Sequence, residues 1–465
     1  MFVYTRNKSK QITFWEALLD CGLSFDGVAI PKKLPDFSSD FEKMRKMSFY
    51  EIYAFVFSKF ADEEISVFND IFEKAWSESF AGSTVFVEEG LYFSEAFDEL
   101  SESIESFRNK ALPYLVQEAK ERTNAVDKTL FVTSENSTFS VQENTKDLYS
   151  ASFVSNESHV ATCLDDKNFG VAIEKSKAEI NSELAELCGD KEFVRMAKEK
   201  GVSIYPVRHT IIDILIGLSR LISSYFDLLN IGELEDGQPF NVAIDGKNVF
   251  ELISCIYAKK IGIPISAVIV ADNPNKIALD FWQNGKSDLD KLPKDFDFYS
   301  IESLLYLLLD ENDQKTKALF ESFGSVIIEK RYFKKFDFVL TGYVENDEIA
   351  EIISSAVDEW DYVCSVSTAR ALSIYDDYCQ ETDSDEPTLI IADESPLIDS
   401  KTLLKILFGK NETDDVSAIN SVANELGLEV PEKYKYTKPN KPDGFLKETC
   451  LSSSIEKIVD IIKGE

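Results

Sequence analysis

Apolar residues recur at a spacing near 3.6 along Phe14–Leu19, Phe49–Phe60 and Glu64–Trp76. That period turns one side of each segment toward a core and predicts three helices. Between the first two runs a turn-rich stretch, from Gly22 to Gly27 and on through Pro31 and Pro35. Ser83–Val87 reads as a strand. A long helix is expected from about Ser94 to Glu121, with Pro113 placed to kink it.

From Lys128 onward, short apolar runs alternate with longer amphipathic ones. Strands are expected at Thr129–Thr133, Gly170–Ile173, Asn241–Ile244, Ile265–Val270 and Thr388–Ala392. Helices are expected at Ala178–Lys200, Thr210–Leu229, Val249–Lys260, Glu348–Trp360 and Thr368–Tyr378. Ser134–Ser158 is polar and shows no amphipathic helix, and Glu381–Pro387 reads as a solvated loop. Asn241–Val270, with Gly262 and Pro264 in its return turn, has the strand–helix–strand signature. This alternation implies a mostly parallel sheet covered on both faces. Ligands bind such sheets beyond the carboxyl ends of strands, here after Val87, Thr133, Ile244 and Ile391.

Charge and rare residues narrow the chemistry. The 465 residues carry 49 basic against 83 acidic side chains, a formal charge of −34. Nucleic acid and anionic lipid both need a basic surface, so neither is an expected partner. The seven cysteines, at 21, 163, 188, 255, 364, 379 and 450, form no C-x-x-C pair, which argues against a disulfide framework or zinc site. Met1–Arg6 lacks the apolar core of a signal peptide, and no apolar run approaches the ~18 residues of a membrane span. A cytoplasmic protein is expected. Only two histidines, His159 and His209, are present, and His209 reads as a surface or helix-start residue. Glycine, 19 residues, falls below the usual ~7%, a warning against phosphate-cradling loops.

The N-terminal stretch carries a resemblance. Tyr4-Thr5-Arg6-Asn7, Ile12-Thr13-Phe14 with Ala17-Leu18-Leu19, Gly22-Leu23-Ser24-Phe25-Asp26-Gly27 and Leu34-Pro35 resemble the opening of the threonine synthase family. Ser48–Ile52, Tyr225-Phe226 and Asn241–Pro264 also fit that pattern. The resemblance implies the tryptophan-synthase-like fold of pyridoxal-phosphate (PLP) enzymes, fold type II. It would comprise a mainly helical N-terminal subdomain (1–80), a large parallel-sheet α/β domain (81–122 and 205–465) and a smaller α/β domain (123–204). It implies conversion of O-phosphohomoserine and water to threonine and phosphate, through a cofactor held as a lysine Schiff base.

The family's chemical motifs are degenerate in this chain. The lysine of His-Gly-Pro-Thr-x-x-Phe-Lys-Asp falls on Glu95 or Ala96, and no lysine occurs between Lys74 and Lys110. A carboxylate cannot form an imine. The loop Thr-Ser-Gly-Asp-Thr-Gly keeps Thr133 and Ser134, loses both glycines and gains Glu135. The phosphate loop Ser-Gly-Asn-Phe-Gly-Asp becomes Asp245-Gly246-Lys247-Asn248-Val249-Phe250-Glu251. Gly246 and Asn248 survive there, but Asp245 repels a phosphate dianion and Phe250 adds bulk where bare backbone is needed. Asn-Ser-x-Asn-x-x-Arg falls on Ile211–Gly217, Asp-Pro-His-Thr-Ala on Ser365–Ala369, and Thr-Ala-His-Pro-x-Lys-Phe on Ala392–Ile398.

Other constellations give weaker signals. Val242–Gly246 has one glycine, not the three of a dinucleotide fingerprint. Lys247, at a helix start, reads as a solvated cation facing Asp245 or Glu251, or as an anion holder. Glu88-Glu89 and Asp393-Glu394 both follow expected strands, so they are candidates to converge on a metal or an amine, with chance pairing the alternative. No Gly-x-Ser-x-Gly is present, and the 34 phenylalanines read as core. The expected protein is a threonine synthase-like pseudoenzyme with no bound cofactor and no metal site. It would have binding or regulatory duties, with a cationic small ligand or basic protein patch as partner. A divergent PLP-dependent threonine synthase, or another enzyme reusing the cleft, is the alternative.

Overall fold

A computed structural model describes the chain except residues 21–25, 77–82, 98–102, 135–138, 156–164, 273–276, 289–297, 322–324, 429, 431–445, 449 and 465. Strands β1 (Phe2–Tyr4), β2 (Asn7–Ile12) and β3 (Ala29–Pro31) make an antiparallel sheet in the order β2-β1-β3. Helices α1 (Phe14–Asp20), α3 (Phe49–Ala61) and α4 (Ile65–Ala75) follow the expected helical runs, and a short further helix, α2 (Phe41–Met44), precedes α3. Ser48 and Glu51 form a capping box at the start of α3, and its end turns through Asp62 at φ 60°. Aromatic rings bind these helices into one core. Trp15 stacks on Phe68 at 5.5 Å, and Trp76 stacks on Phe107 at 3.6 Å.

The chain then forms β4 (Ser83–Glu88), β5 (Leu91–Glu95), α5 (Ile104–Thr123), β6 (Lys128–Ser134), β7 (Leu148–Ser155) and β8 (Asn168–Ile173). Helices α6 (Lys177–Gly189) and α7 (Lys191–Glu199), β9 (Val202–Pro206), α8 (Ile211–Ile231), β10 (Phe240–Asp245), α9 (Val249–Ile261) and β11 (Ile265–Asp272) continue it. Beyond these lie β12 (Lys286–Asp288), β13 (Ser325–Ile327), β14 (Val339–Tyr343), β15 (Thr388–Ala392) and β16 (Leu446–Glu448). The larger sheet runs β14-β11-β10-β15-β5-β4, parallel except for the β4–β5 hairpin. The smaller, β16-β8-β7-β6-β9, is parallel throughout. Every residue of β10 and β15 is buried, as central strands of a two-sided sheet must be.

Several expectations are corrected. The helix expected from Ser94 begins only at Ile104, with Ser103 as its N-cap, because Leu91–Glu95 is a strand. Gly90, at φ +84°, supplies the hairpin turn that lets β5 pair with both β4 and β15. The polar stretch Ser134–Ser158 contains β7, buried along its whole length. Its small hydroxyls are satisfied inside the sheet, for instance Ser150 donating to Asn168 at 2.7 Å. The single helix expected at Ala178–Lys200 is two, divided at Asp190, whose carboxylate caps the second.

The domain boundary also moves. Residues 446–464, expected in the large domain, add β16 and the Leu451–Gly464 helix to the smaller sheet. Leu451, Ile455, Ile458 and Ile462 share a core with Val171, Ile173 and Val202 there. An apolar helical stripe goes wherever a sheet face is open, whatever its distance in sequence. Among the described residues, no helix is long and apolar enough to cross a membrane.

Candidate functional site

The exits of β10 and β15 lie side by side, where a parallel sheet presents its ligands. Asp245 ends β10 and is buried. The Gly246 N–H donates to the Ala271 carbonyl at 2.8 Å, and a Cβ at Gly246 would stand 2.6 Å from that oxygen. Glycine is required there by close backbone approach. The next two residues reach across the sheet. Lys247 Nζ donates to Glu394 at 2.6 Å, and Asn248 Nδ2 donates to Asp393. The Val366–Thr382 helix closes the cluster from above, with Arg370 Nη1 donating to Asp245 at 2.5 Å and Ser367 Oγ to Asp393 at 3.1 Å.

A second charged group adjoins it. Arg108, on α5, donates to Asp213, on α8, at 2.8 Å, and both are buried. His209 lies between carboxylates, Nε2 at 3.2 Å from Glu105 and Nδ1 at 3.2 Å from Asp213. Its ring stacks on Phe250 at 4.9 Å. In the first turn of α9, Glu251 accepts from Arg220 Nη2 at 2.6 Å, with both residues 2% exposed or less. Gly217 permits this approach of α8 to α9, since a Cβ there would meet Ser254 Oγ at 2.6 Å.

Burial and neighbouring charge set the protonation of these groups. Burial raises Glu394 to about 7, with Asp393 adding repulsion and Lys247 opposing it. Glu251 rises to about 6 by burial, against the pull of Arg220. Asp245 is likewise raised by burial, against Arg370. Burial alone would lower Lys247, but Asp393, Glu394 and Asp245 hold it above the usual lysine value. Glu105 is the opposite case: burial opposes ionisation, yet the hydrogen bond from His209 and the nearby cations bring it down to about 2.

These directions predict a pH profile for stability. Glu251 and Glu394 are raised above the ordinary glutamate value of 4.5, so their contribution is complete below that value. It is lost as pH rises through about 6 to 7. Glu105, held low, acts in a separate window: its contribution is present above 4.5 and lost as pH falls toward 2. The unfolding free energy, read from urea titrations, should therefore fall between pH 5 and pH 7.5 by on the order of a few kcal/mol. Glu394→Gln should flatten that slope, and an unchanged slope would refute the assignment.

The expected site residues divide. Asp245, Gly246, Lys247 and Asn248 come together with Asp393 and Glu394. Glu95 stands apart, its carboxylate accepting from Tyr362 at 2.9 Å and from Ser83 at 2.7 Å. Ala96 is buried and its N–H donates to the Ala392 carbonyl. Thr133 and Ser134 end β6 in the smaller sheet, and Glu135 lies outside the described residues. Glu88 and Glu89 do not meet Asp393 and Glu394. They sit at the β4–β5 turn, the end of the sheet where β15 starts, because β5 and β15 run parallel. No group of three metal-ligating side chains occurs among the described residues. His159 also lies outside them.

The carboxylates expected to attract a cationic partner already have partners within the chain: Asp245 with Arg370, Glu394 with Lys247, Glu251 with Arg220. Residues overlooked in the sequence are the matching cations Arg108, Arg220 and Arg370. The available signal was a lone arginine inside an apolar helical run, which has to find a buried anion.

A mostly parallel sheet with its polar cluster at the strand exits, a smaller parallel sheet and a helical N-terminal layer give this chain the fold of the threonine synthases, PLP fold type II. Residues 1–76 match the family described as "Threonine synthase N terminus". "Threonine synthase-like 1" from Homo sapiens and from Macaca fascicularis are each 32% identical over 168 residues, 33% of this chain. That match spans 22% of the length of these relatives. The yeast threonine synthase structure superposes with a TM-score of 0.80 at 18% identity, covering 100% of this chain and 99% of that one. PLP-bound threonine synthase from Brucella melitensis gives 0.79 at 16% identity, covering 100% and 99%. At such identities the likeness is one of fold.

Proposed function

We propose that this chain keeps the threonine synthase scaffold without its PLP chemistry and serves as a binding or regulatory protein. The observation that carries this reading is the opening of α5. The family motif places its lysine just after a phenylalanine at a helix start. The phenylalanine in the opening turns of α5 is Phe107, followed by Arg108 and Asn109, so we read that place as Arg108 rather than Glu95 or Ala96. Arg108 is a guanidinium that forms no imine here, and it is paired to buried Asp213 at 2.8 Å. Lys110 lies two residues on, about 3 Å along the axis and on the opposite side of the helix.

Lys247 is the lysine nearest the cluster, and it does not supply the missing amine. It is ion-paired to Glu394 and held protonated, whereas imine formation needs the free base. The anion position fits a phosphate no better, since Asp245, Asp393 and Glu394 crowd the start of α9. The residues present do not fit the cofactor.

The test is a spectrum of the purified protein with and without added pyridoxal phosphate. No aldimine band should appear, and borohydride should trap no adduct. A yellow protein whose reduced adduct maps to one lysine would overturn the reading.

A further inference from the structure

We propose that the groove between α7 and the Leu451–Gly464 helix is a docking site for a basic amphipathic helix of another protein, which seats one large apolar side chain there. The groove lies on the smaller sheet and uses none of the residues at the β10 and β15 exits. It therefore stands whether or not a cofactor is held at those exits.

Three observations carry it. First, the two helices leave a space of the right size. Both lie against β9, the edge strand of the smaller sheet, and Lys200 Nζ reaches from one to Asp460 on the other at 2.6 Å. Between them is a groove of about 200 Å³. An apolar cavity of about 150 Å³ takes up benzene, so this one has room for a leucine or phenylalanine side chain. Second, its floor is apolar. Phe193, Ala197, Ile455 and Val459 line it, and all four belong to the core of the smaller sheet. Met196 forms a wall and is 43% exposed. A flexible thioether at the mouth of an apolar groove adapts readily to an incoming side chain.

Third, the rim is acidic. The remaining lining residues are Glu199, Lys200 and Glu456, and Lys200 is already neutralised by Asp460. Glu199 shares its one cation, Arg195, with Glu192. Glu456 is exposed and has no ion-pair partner among the described residues. That charge decides which occupant fits. A chain with a formal charge of −34 repels a second copy of itself at long range and attracts a basic segment. A basic amphipathic helix laid along two helices puts an apolar side chain into the groove and its cations on the ridges.

The experiment is an anisotropy titration of the full chain with a labelled synthetic helix of leucine and lysine, at about 0.15 M salt. One control peptide has alanine for every leucine, and a second has glutamate for every lysine. The leucine–lysine helix should bind at least about tenfold more tightly than either. Met196→Lys should weaken it about tenfold, and Glu456→Lys about threefold. Glu381→Lys makes the same charge change as Glu456→Lys, on the Val366–Thr382 helix, and should alter binding less than about twofold. Met196 and Glu456 are both exposed, so melting temperatures should hold, and either variant alone suffices if the other folds poorly. Equal binding of a control peptide, no effect of Met196→Lys, or an equal loss in Glu381→Lys would each overturn the proposal. So would sedimentation showing a dimer of the unaltered chain that Met196→Lys dissociates, since a second copy would then fill the groove. An aldimine in the unaltered protein would instead refute the loss of cofactor chemistry and leave the groove untouched.

Discussion

Arg220→Ala should destabilise the protein by about 3–5 kcal/mol, read as a fall in the urea midpoint. The substitution strands Glu251, which is 1% exposed and so screened from bulk solvent. Part of the penalty can be relieved by protonation, since Glu251 already sits at about 6. The loss should therefore be larger at pH 8 than at pH 5. Arg220→Met/Glu251→Leu removes both charges and keeps apolar volume between α8 and α9. That double variant should lie within about 1–2 kcal/mol of the original, or above it, because buried pairs seldom outweigh their own desolvation. If single and double variants lose equally, packing and not an orphaned charge governs the site.

Asp213→Ala should be of similar size for a different combination of reasons. Asp213 answers Arg108, and its other oxygen accepts the Thr210 N–H at 2.8 Å as half of a capping box on α8. Removal leaves a fully buried guanidinium, again about 3–5 kcal/mol, and adds about 1 kcal/mol for the lost cap. Asp213→Asn separates the two, because an amide oxygen still accepts from Thr210 while the charge is gone. It should recover the cap but little of the ion-pair loss. Recovery of full stability by asparagine would mean that the Arg108 charge is compensated from elsewhere.

The elements legible in the sequence were those whose signals are local. The Val249–Ile261 helix announced itself by apolar period, and Gly262 at φ +108° ends it as its position required. The capping residues Ser48 and Thr210 likewise stand just before their apolar runs. What was not legible depends on partners distant in sequence. Leu91–Glu95 is a strand because β15 and β4 flank it, and nothing in five residues fixes that against the helix that follows. Ser150 and Ser152 look like loop residues, yet lie in a central strand because Asn168 and the sheet satisfy them.

The same division holds at the site. Asp245 to Asn248 were found from motif spacing at a strand exit. The pair Phe107-Arg108 was missed because its place depends on where α5 starts, and the unexpected strand moved that start. The arginines were missed because a pattern read for apolar period treats a single cation as an interruption. Its burial depends on a carboxylate many residues away.

The pairing of β16 with β8 bears on how the molecule is made. Leu446 aligns with Val171, so the smaller sheet acquires its outer strand from chain synthesised long after the rest of that sheet. At the pace of translation, about 5–20 residues per second, β6 to β9 wait many seconds with one edge and one face uncovered. During that interval β8 presents an open strand edge, and Ile180, Leu184 and Val202 have not yet met Ile455 and Ile458. The last segment thus completes the smaller sheet, and a nascent chain halted before Leu446 would leave β8 ready to pair with another copy of itself.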